Sequence, residues 1–272
     1  MYSVKIIVAT HKKCDLPSDE IYLPLHVGAA GKFNPDGTPL DFGITKDNTG
    51  DNISEKNFCF GTQTGLYWAW KNLDTDYIGL VHYRRFFIFK KKSKSKNMLD
   101  SVLTKEQLMP LLGKYKVFIP KKRRYYIETI YTHYANTMDG SHLDISREII
   151  QEMTPEYLEA FDIVMNRRYG HMFNMMILTK DLMNDYCSWL FKILFELERR
   201  VDTTGLTVFE KRFCGRVSER LFNVWLEYKI KTGELKKNEI KELSYIEDVD
   251  WLFKIKSFLC AKFFHKKYGV SS

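Results

Sequence analysis

Short β-branched runs alternate along this chain with longer amphipathic ones. Val4-Lys5-Ile6-Ile7-Val8-Ala9 is continuous enough to be a strand buried on both faces, and it stops at the polar Thr10-His11-Lys12-Lys13. Ile21 to Val27 predicts a second strand, closed by Gly28 and Gly31. From Phe33 to Asn52 the chain is rich in Gly, Asp, Asn and Pro, which predicts a long loop of the kind that carries function or motion. Ser54 reads as the N-cap of a helix to about Asn72, with Gly61 and Gly65 on one face for close approach to a sheet or a ligand. Tyr77–His82, Tyr115–Ile119 and Phe173–Leu178 predict further strands. Helices are expected just before Gly113, from Thr154-Pro155 to about Asn166, over Lys180–Arg199, and after Gly215 through Leu221, Trp225 and Leu226. Strands alternating with helices predict an α/β fold, a mostly parallel sheet flanked by helices with a helical C-terminal part.

Composition narrows the picture. The 272 residues are 44% hydrophobic and 28% charged, which excludes a disordered chain and supplies a core without disulfide or metal staples. Five scattered cysteines, odd in number and without a CxxC pair, predict reduced thiols in the cytosol. No apolar run approaches the ~20 residues of a membrane-spanning helix, and the first residues lead directly into a strand. A soluble, unsecreted protein is the expectation. With 42 Lys and Arg against 34 Asp and Glu, the formal charge of +8 suits an anionic partner: nucleic acid, an acidic membrane or a phosphorylated substrate.

Ligands of open α/β sheets gather at the carboxyl ends of the strands. Here those ends are Thr10-His11-Lys12, His82-Tyr83-Arg84-Arg85 and Lys121-Lys122-Arg123-Arg124, three basic exits that together could hold a diphosphate. The chain has no GxxxxGK[ST], no GxGxxG after the first strand, no HExxH and no GxSxG, which disfavours a P-loop enzyme, an ordinary dehydrogenase, a zinc protease and an α/β-hydrolase.

Several stretches carry a family resemblance: Lys5 to Lys12, Asp47 to Ser54, Thr64-Gly65-Leu66-Tyr67-Trp68-Ala69-Trp70-Lys71-Asn72 and Gly79-Leu80-Val81-His82-Tyr83-Arg84-Arg85-Phe86. Phe173 to Ile177, Tyr186 to Phe191 and Ser218 to Leu221 extend it to about Lys231. The chain resembles a family first catalogued as a domain of unknown function in bacterial capsular and exopolysaccharide gene clusters and later grouped with glycosyltransferases, galactofuranosyltransferases among them. The resemblance implies a GT-A-like transferase domain over residues 1–232, with 233–272 a basic, aromatic extension. It implies a UDP-sugar donor, a lipid-linked oligosaccharide acceptor, inverting transfer, and a cytoplasmic enzyme at the inner face of the plasma membrane.

Residue by residue, Ala9, Thr10, His11 and Lys12 would line the donor pocket, and Asp51, Asn52 and Ile53 would close over the nucleotide. His82, Tyr83, Arg84 and Arg85 stand where such enzymes carry Asp-x-Asp. No cofactor is therefore assigned, and Mn2+ or Mg2+ dependence is in question, since a guanidinium pair can neutralise the leaving diphosphate. Gln63 stands where the family leads one to expect an acid. Glu219, expected just inside a helix start, is the candidate base, with Asp144 and His142 as competitors. His133 and Asn174 are the acceptor-binding candidates. Trp251–Tyr268 mixes aromatics with lysines, as for an anionic membrane contact, although its lysines do not form one helical face. The rival reading, a basic nucleic-acid-binding protein without catalysis, lacks any reading helix, RNP signature or zinc finger, and no nucleic-acid partner is expected.

Overall fold

The structure is a computed structural model that describes residues 2–89 and 97–248. The basic loop Lys90–Lys96 and the Trp251–Tyr268 stretch lie outside the described residues. In chain order the elements are β1 (Val4–Thr10), β2 (Tyr22–His26), β3 (Thr45–Lys46), α1 (Asn57–Phe60), α2 (Gln63–Asn72), β4 (Tyr77–His82), β5 (Arg85–Ile88), α3 (Lys105–Leu108) and β6 (Val117–Pro120). There follow β7 (Arg123–Arg124), α4 (Ile130–Thr137), α5 (Ser141–Met153), α6 (Leu158–Met165), β8 (Tyr169–Gly170), β9 (Met176–Thr179), α7 (Lys180–Arg200), α8 (Phe213–Lys231) and β10 (Ile240–Glu247). These residues divide into two units. The first holds Met1–Lys121, Asn174–Cys187 and Lys236–Glu247; the second holds Lys122–Phe173 and Ser188–Leu235.

The first unit is built on one sheet of order β3-β2-β1-β4-β5-β10-β6-β9, with β9 also paired to β4. β1 is its centre, since Ile6, Ile7 and Val8 are fully buried and pack apolar side chains on both faces. The β3-β2-β1-β4 half is parallel, as expected from the βαβ pattern. The other half is mixed: β10 is antiparallel to β5 and parallel to β6, and β9 is antiparallel to both β4 and β6. The expectation of a mostly parallel sheet is thus corrected to a mixed one. The reason is local: β5 turns straight back from β4 after Tyr83 and Arg84, so no crossover helix separates them. Residues 240–247, which the sequence placed in the C-terminal extension, fill a position inside this sheet.

The single helix expected from Ser54 to Asn72 is three pieces: a 3-10 turn over Ser54–Lys56, then α1, then α2. Gly61 breaks it with a φ of 55°, a left-handed conformation that glycine adopts without penalty. Gly65 does make the close approach: a Cβ there would lie 2.8 Å from Val27 and 3.3 Å from Leu25, so the start of α2 lies on the carboxyl end of β2.

The second unit is helical, with α8 at its core. Cys214, Val217, Leu221, Val224 and Trp225 are fully buried along one helix, and Tyr157 stacks between Trp189 and Tyr228. A small antiparallel ribbon, β7 with β8, completes it.

Candidate functional site

β1 and β4 are parallel neighbours, yet the chain leaves β1 toward β2 and returns on the opposite side as β4. Loops that diverge from such a switch point leave a crevice at the strand ends. Two of the three basic exits meet there. Thr10 is buried, and its hydroxyl donates to the Lys12 carbonyl at 2.7 Å, a local turn that leaves His11 and Lys12 exposed. Tyr83 N–H donates to the Ala9 carbonyl at 3.2 Å. His11 meets the Tyr83 ring edge-on, with centroids 5.5 Å apart, and the Lys12 ammonium lies 5.3 Å from the same ring centre. The expected residues Ala9, Thr10, His11, Lys12, His82 and Tyr83 therefore share one edge, with Arg84 next in the turn. β9 runs antiparallel to β4, so its amino end, preceded by Asn174, lies at that edge too. Phe173 and Asn174 both have left-handed backbones, with φ of 80° and 51°, conformations that cost energy outside glycine.

Arg85 has a different employment. Its Nε and Nη2 donate to Glu247 Oε2 at 3.0 and 2.8 Å, across the β5–β10 pairing, and the Glu247 side chain is only 4% exposed. Among the expected donor-site residues, Arg85 thus has its charge paired with a buried carboxylate within the sheet. Asp51, another expected donor-site residue, is tied to α2. Its backbone exchanges hydrogen bonds with the Asn72 side chain at 3.3 and 2.8 Å, and Tyr67 donates to its carboxylate at 3.2 Å. Those partners lie in the middle and at the last residue of α2. Asn52 is turned into its own loop, donating to the Gly50 carbonyl and accepting from Ser54 N–H, and Ile53 precedes that serine.

The residue that organises the edge is one that sequence reasoning missed. Asp47 is fully buried just after β3, where its carboxylate accepts from Gly28 N–H at 2.8 Å, Ala29 N–H at 3.1 Å, Thr64 Oγ1 at 2.6 Å and Ser54 Oγ. It ties the loop after β2 to the start of α2. Nearby, His26 is buried against Phe42, and burial lowers its pKa below the ordinary histidine range while the Asp47 charge opposes the shift. Gln63 is fully buried, and its amide has no hydrogen-bond partner among the described residues.

The second unit holds the base candidates Glu219, Asp144 and His142 and one of the two acceptor candidates, His133. α8 begins at Phe213, two residues before Gly215, so Glu219 lies in its second turn rather than just inside the helix start. Arg220 is its partner: Nη1 donates to Glu219 Oε2 at 2.8 Å and to the Arg216 carbonyl at 3.0 Å, with the guanidinium 5.0 Å from the Tyr134 ring centre. His142 is buried, bonded through Nδ1 to Tyr134 Oη at 3.0 Å and stacked on Phe213. Asp144 is on the surface and accepts from Tyr131 Oη at 3.0 Å. His133 is buried with Nδ1 2.8 Å from Glu128 Oε2, while Asn136 holds the other carboxylate oxygen. Burial first and the Arg220 charge second push the His133 pKa well below the ordinary range, against the pull of Glu128. Among the described residues no group of three or more His, Cys, Asp or Glu side chains is placed to hold a metal ion.

Residues 5–231 match the family DUF4422, described as a domain of unknown function. No curated protein matches the chain. A solved structure described as the WbbM bifunctional glycosyltransferase in its apo form is similar, with a TM-score of 0.80 and 30% sequence identity. The likeness covers 91% of this chain and 46% of that one, so this chain spans about half the length of that protein.

Proposed function

The chain belongs to the DUF4422 family, and on that footing we propose that it is a glycosyltransferase taking a sugar from a UDP-sugar, galactofuranose being the first to try, to a growing capsular or surface polysaccharide. The fold it shares with a bifunctional glycosyltransferase supports the class of reaction. The observation that carries the reading is the strand-exit edge of the first unit, where His11 and Lys12 meet Tyr83 beside Arg84 at the switch between β1 and β4. Charge grows on the diphosphate as the glycosidic bond to the donor breaks. An ammonium and a guanidinium held at that edge stabilise that charge more in the transition state than in the ground state. The acceptor hydroxyl must lose its proton to a base. Glu219 is that base in this reading: Arg220 engages Oε2, and Oε1 remains to receive the proton. Attack by the freed oxygen on the anomeric carbon in a single displacement inverts its configuration.

Titration calorimetry with UDP, followed by a screen of UDP-sugars against a lipid-linked acceptor read by mass spectrometry, tests the proposal. UDP should bind with measurable heat and one donor should give a product of the added sugar's mass. Absence of UDP heat, together with tight and steeply salt-dependent binding of a DNA or RNA oligomer, would overturn it in favour of a nucleic-acid-binding protein.

A further inference from the structure

The third basic exit opens the second unit and ends in an exposed apolar tip. β7 pairs with β8, and Tyr125 N–H donates to the Arg168 carbonyl at 2.8 Å, so residues 122–125 are fastened along 168–170. The ribbon alternates: Arg123 and Tyr125 face inward, with the Arg123 guanidinium 5.3 Å from the Tyr125 ring centre, while Lys122, Arg124 and Tyr126 face outward. Ile127 N–H then closes a tight turn on the Tyr125 carbonyl at 2.6 Å, with Tyr126 at its apex at a φ of 58°. That is an unfavourable backbone for tyrosine. The turn presents Tyr126 at 76% exposure and Ile127 at 59%.

Cations surround this tip. Lys122 and Arg124 lie 5.2 and 5.9 Å from the Tyr169 ring centre, Arg167, 5.8 Å from it, is paired with Glu227 of α8 at 2.7 Å, and Arg168 donates through Nη1 to the Tyr126 carbonyl at 3.2 Å. The only carboxylate in 121–129 or 166–170 is Glu128, which is buried and occupied by His133 and Asn136. Exposed apolar side chains ringed by cations, with no exposed acid on either segment, match an interface in which apolar groups enter acyl chains beneath anionic headgroups.

We propose that the Tyr126–Ile127 turn docks the protein on an anionic phospholipid surface, with the two apolar side chains entering it and Lys122, Arg124 and Arg168 meeting the headgroup phosphates. The proposal is independent of the transferase reading. The test is co-sedimentation of the full chain with vesicles of phosphatidylcholine alone and of phosphatidylcholine mixed with phosphatidylglycerol. The full chain should pellet with the anionic vesicles and stay in solution with the neutral ones. Tyr126→Asn with Ile127→Ser, chosen because asparagine tolerates the left-handed backbone, and separately Lys122→Glu with Arg124→Glu, should each lower the partition coefficient at least about tenfold. Both variants should keep the parent's melting temperature. Equal pelleting of parent and Tyr126→Asn/Ile127→Ser overturns the proposal, because the membrane contact would then lie elsewhere on the chain. So does full release by inorganic phosphate at constant ionic strength, which would make the cations a site for free phosphate.

Discussion

Lys12→Ala and Arg84→Ala each remove one cation from the strand-exit edge without touching the core. Hydrogen bonds to charged groups contribute about 1.5–3 kcal/mol, so each variant should bind UDP about ten- to a hundredfold more weakly by calorimetry, with an unchanged melting temperature. Arg85→Ala should behave oppositely. It leaves the buried Glu247 carboxylate without its counter-ion, at a cost of about 3 kcal/mol, and should lower the melting temperature by several degrees while folded molecules bind UDP normally. Glu219→Gln keeps an oxygen for Arg220 to donate to but cannot take a proton. Its kcat should fall by about two to four orders of magnitude, with donor KM and melting temperature nearly unchanged; normal turnover there would move the role to Asp144. His133 adds a pH signature. Its native pKa lies below the 6.5 of an ordinary histidine, so the unfolded chain gains a proton first as the pH falls. Stability should therefore decline below about pH 6.5 until the native imidazole itself protonates. His133→Gln should flatten that part of the curve of denaturation midpoint against pH.

The helix α2 shows how an element can be legible in outline and not in detail. Gly65→Ala would gain about 1 kcal/mol of helix propensity. It would also drive a Cβ to 2.8 Å from Val27, and we expect a net loss of about 1 kcal/mol, measurable as a lower denaturation midpoint. The glycine's close approach was readable from its helical position; the break at Gly61 was not, because it depends on one backbone angle. β1, β4 and β6 were legible because each is a continuous apolar run, and α7 because it is a long amphipathic one. β10 was not: Ile240-Lys241-Glu242-Leu243-Ser244-Tyr245-Ile246-Glu247 buries only Leu243 and Ile246, and it is a strand because the sheet has a place for it. α4 and α5 were hidden by their polar residues and by the Met138-Asp139-Gly140 interruption. The strand-exit edge followed directly from where the strands stop. The Asp47 hub left no trace in spacing, since its four donors come from three separate places 7 to 19 residues away. The Arg85–Glu247 pair, 162 residues apart, was equally invisible.

At the scale of the whole molecule, the family match ends at Lys231 but the sheet does not. A chain cut after Lys231 would leave β5 attached to β4 by the single His82–Arg85 pairing and would uncover one side of β6. Unpaired strand edges template association. The shortened protein should therefore run as soluble aggregate or precipitate in size-exclusion chromatography, whereas the full chain elutes as a defined species. The same feature sets an order of events during synthesis. β5 and β6 leave the ribosome early, yet the strand that belongs between them arrives only after more than a hundred further residues, most of them from the other unit. Throughout that interval the nascent chain carries an open slot bordered by hydrogen-bonding groups. Anything that stalls translation there leaves a molecule with its central strands formed and a sticky seam unsealed, a natural client for chaperones and a natural target for quality control.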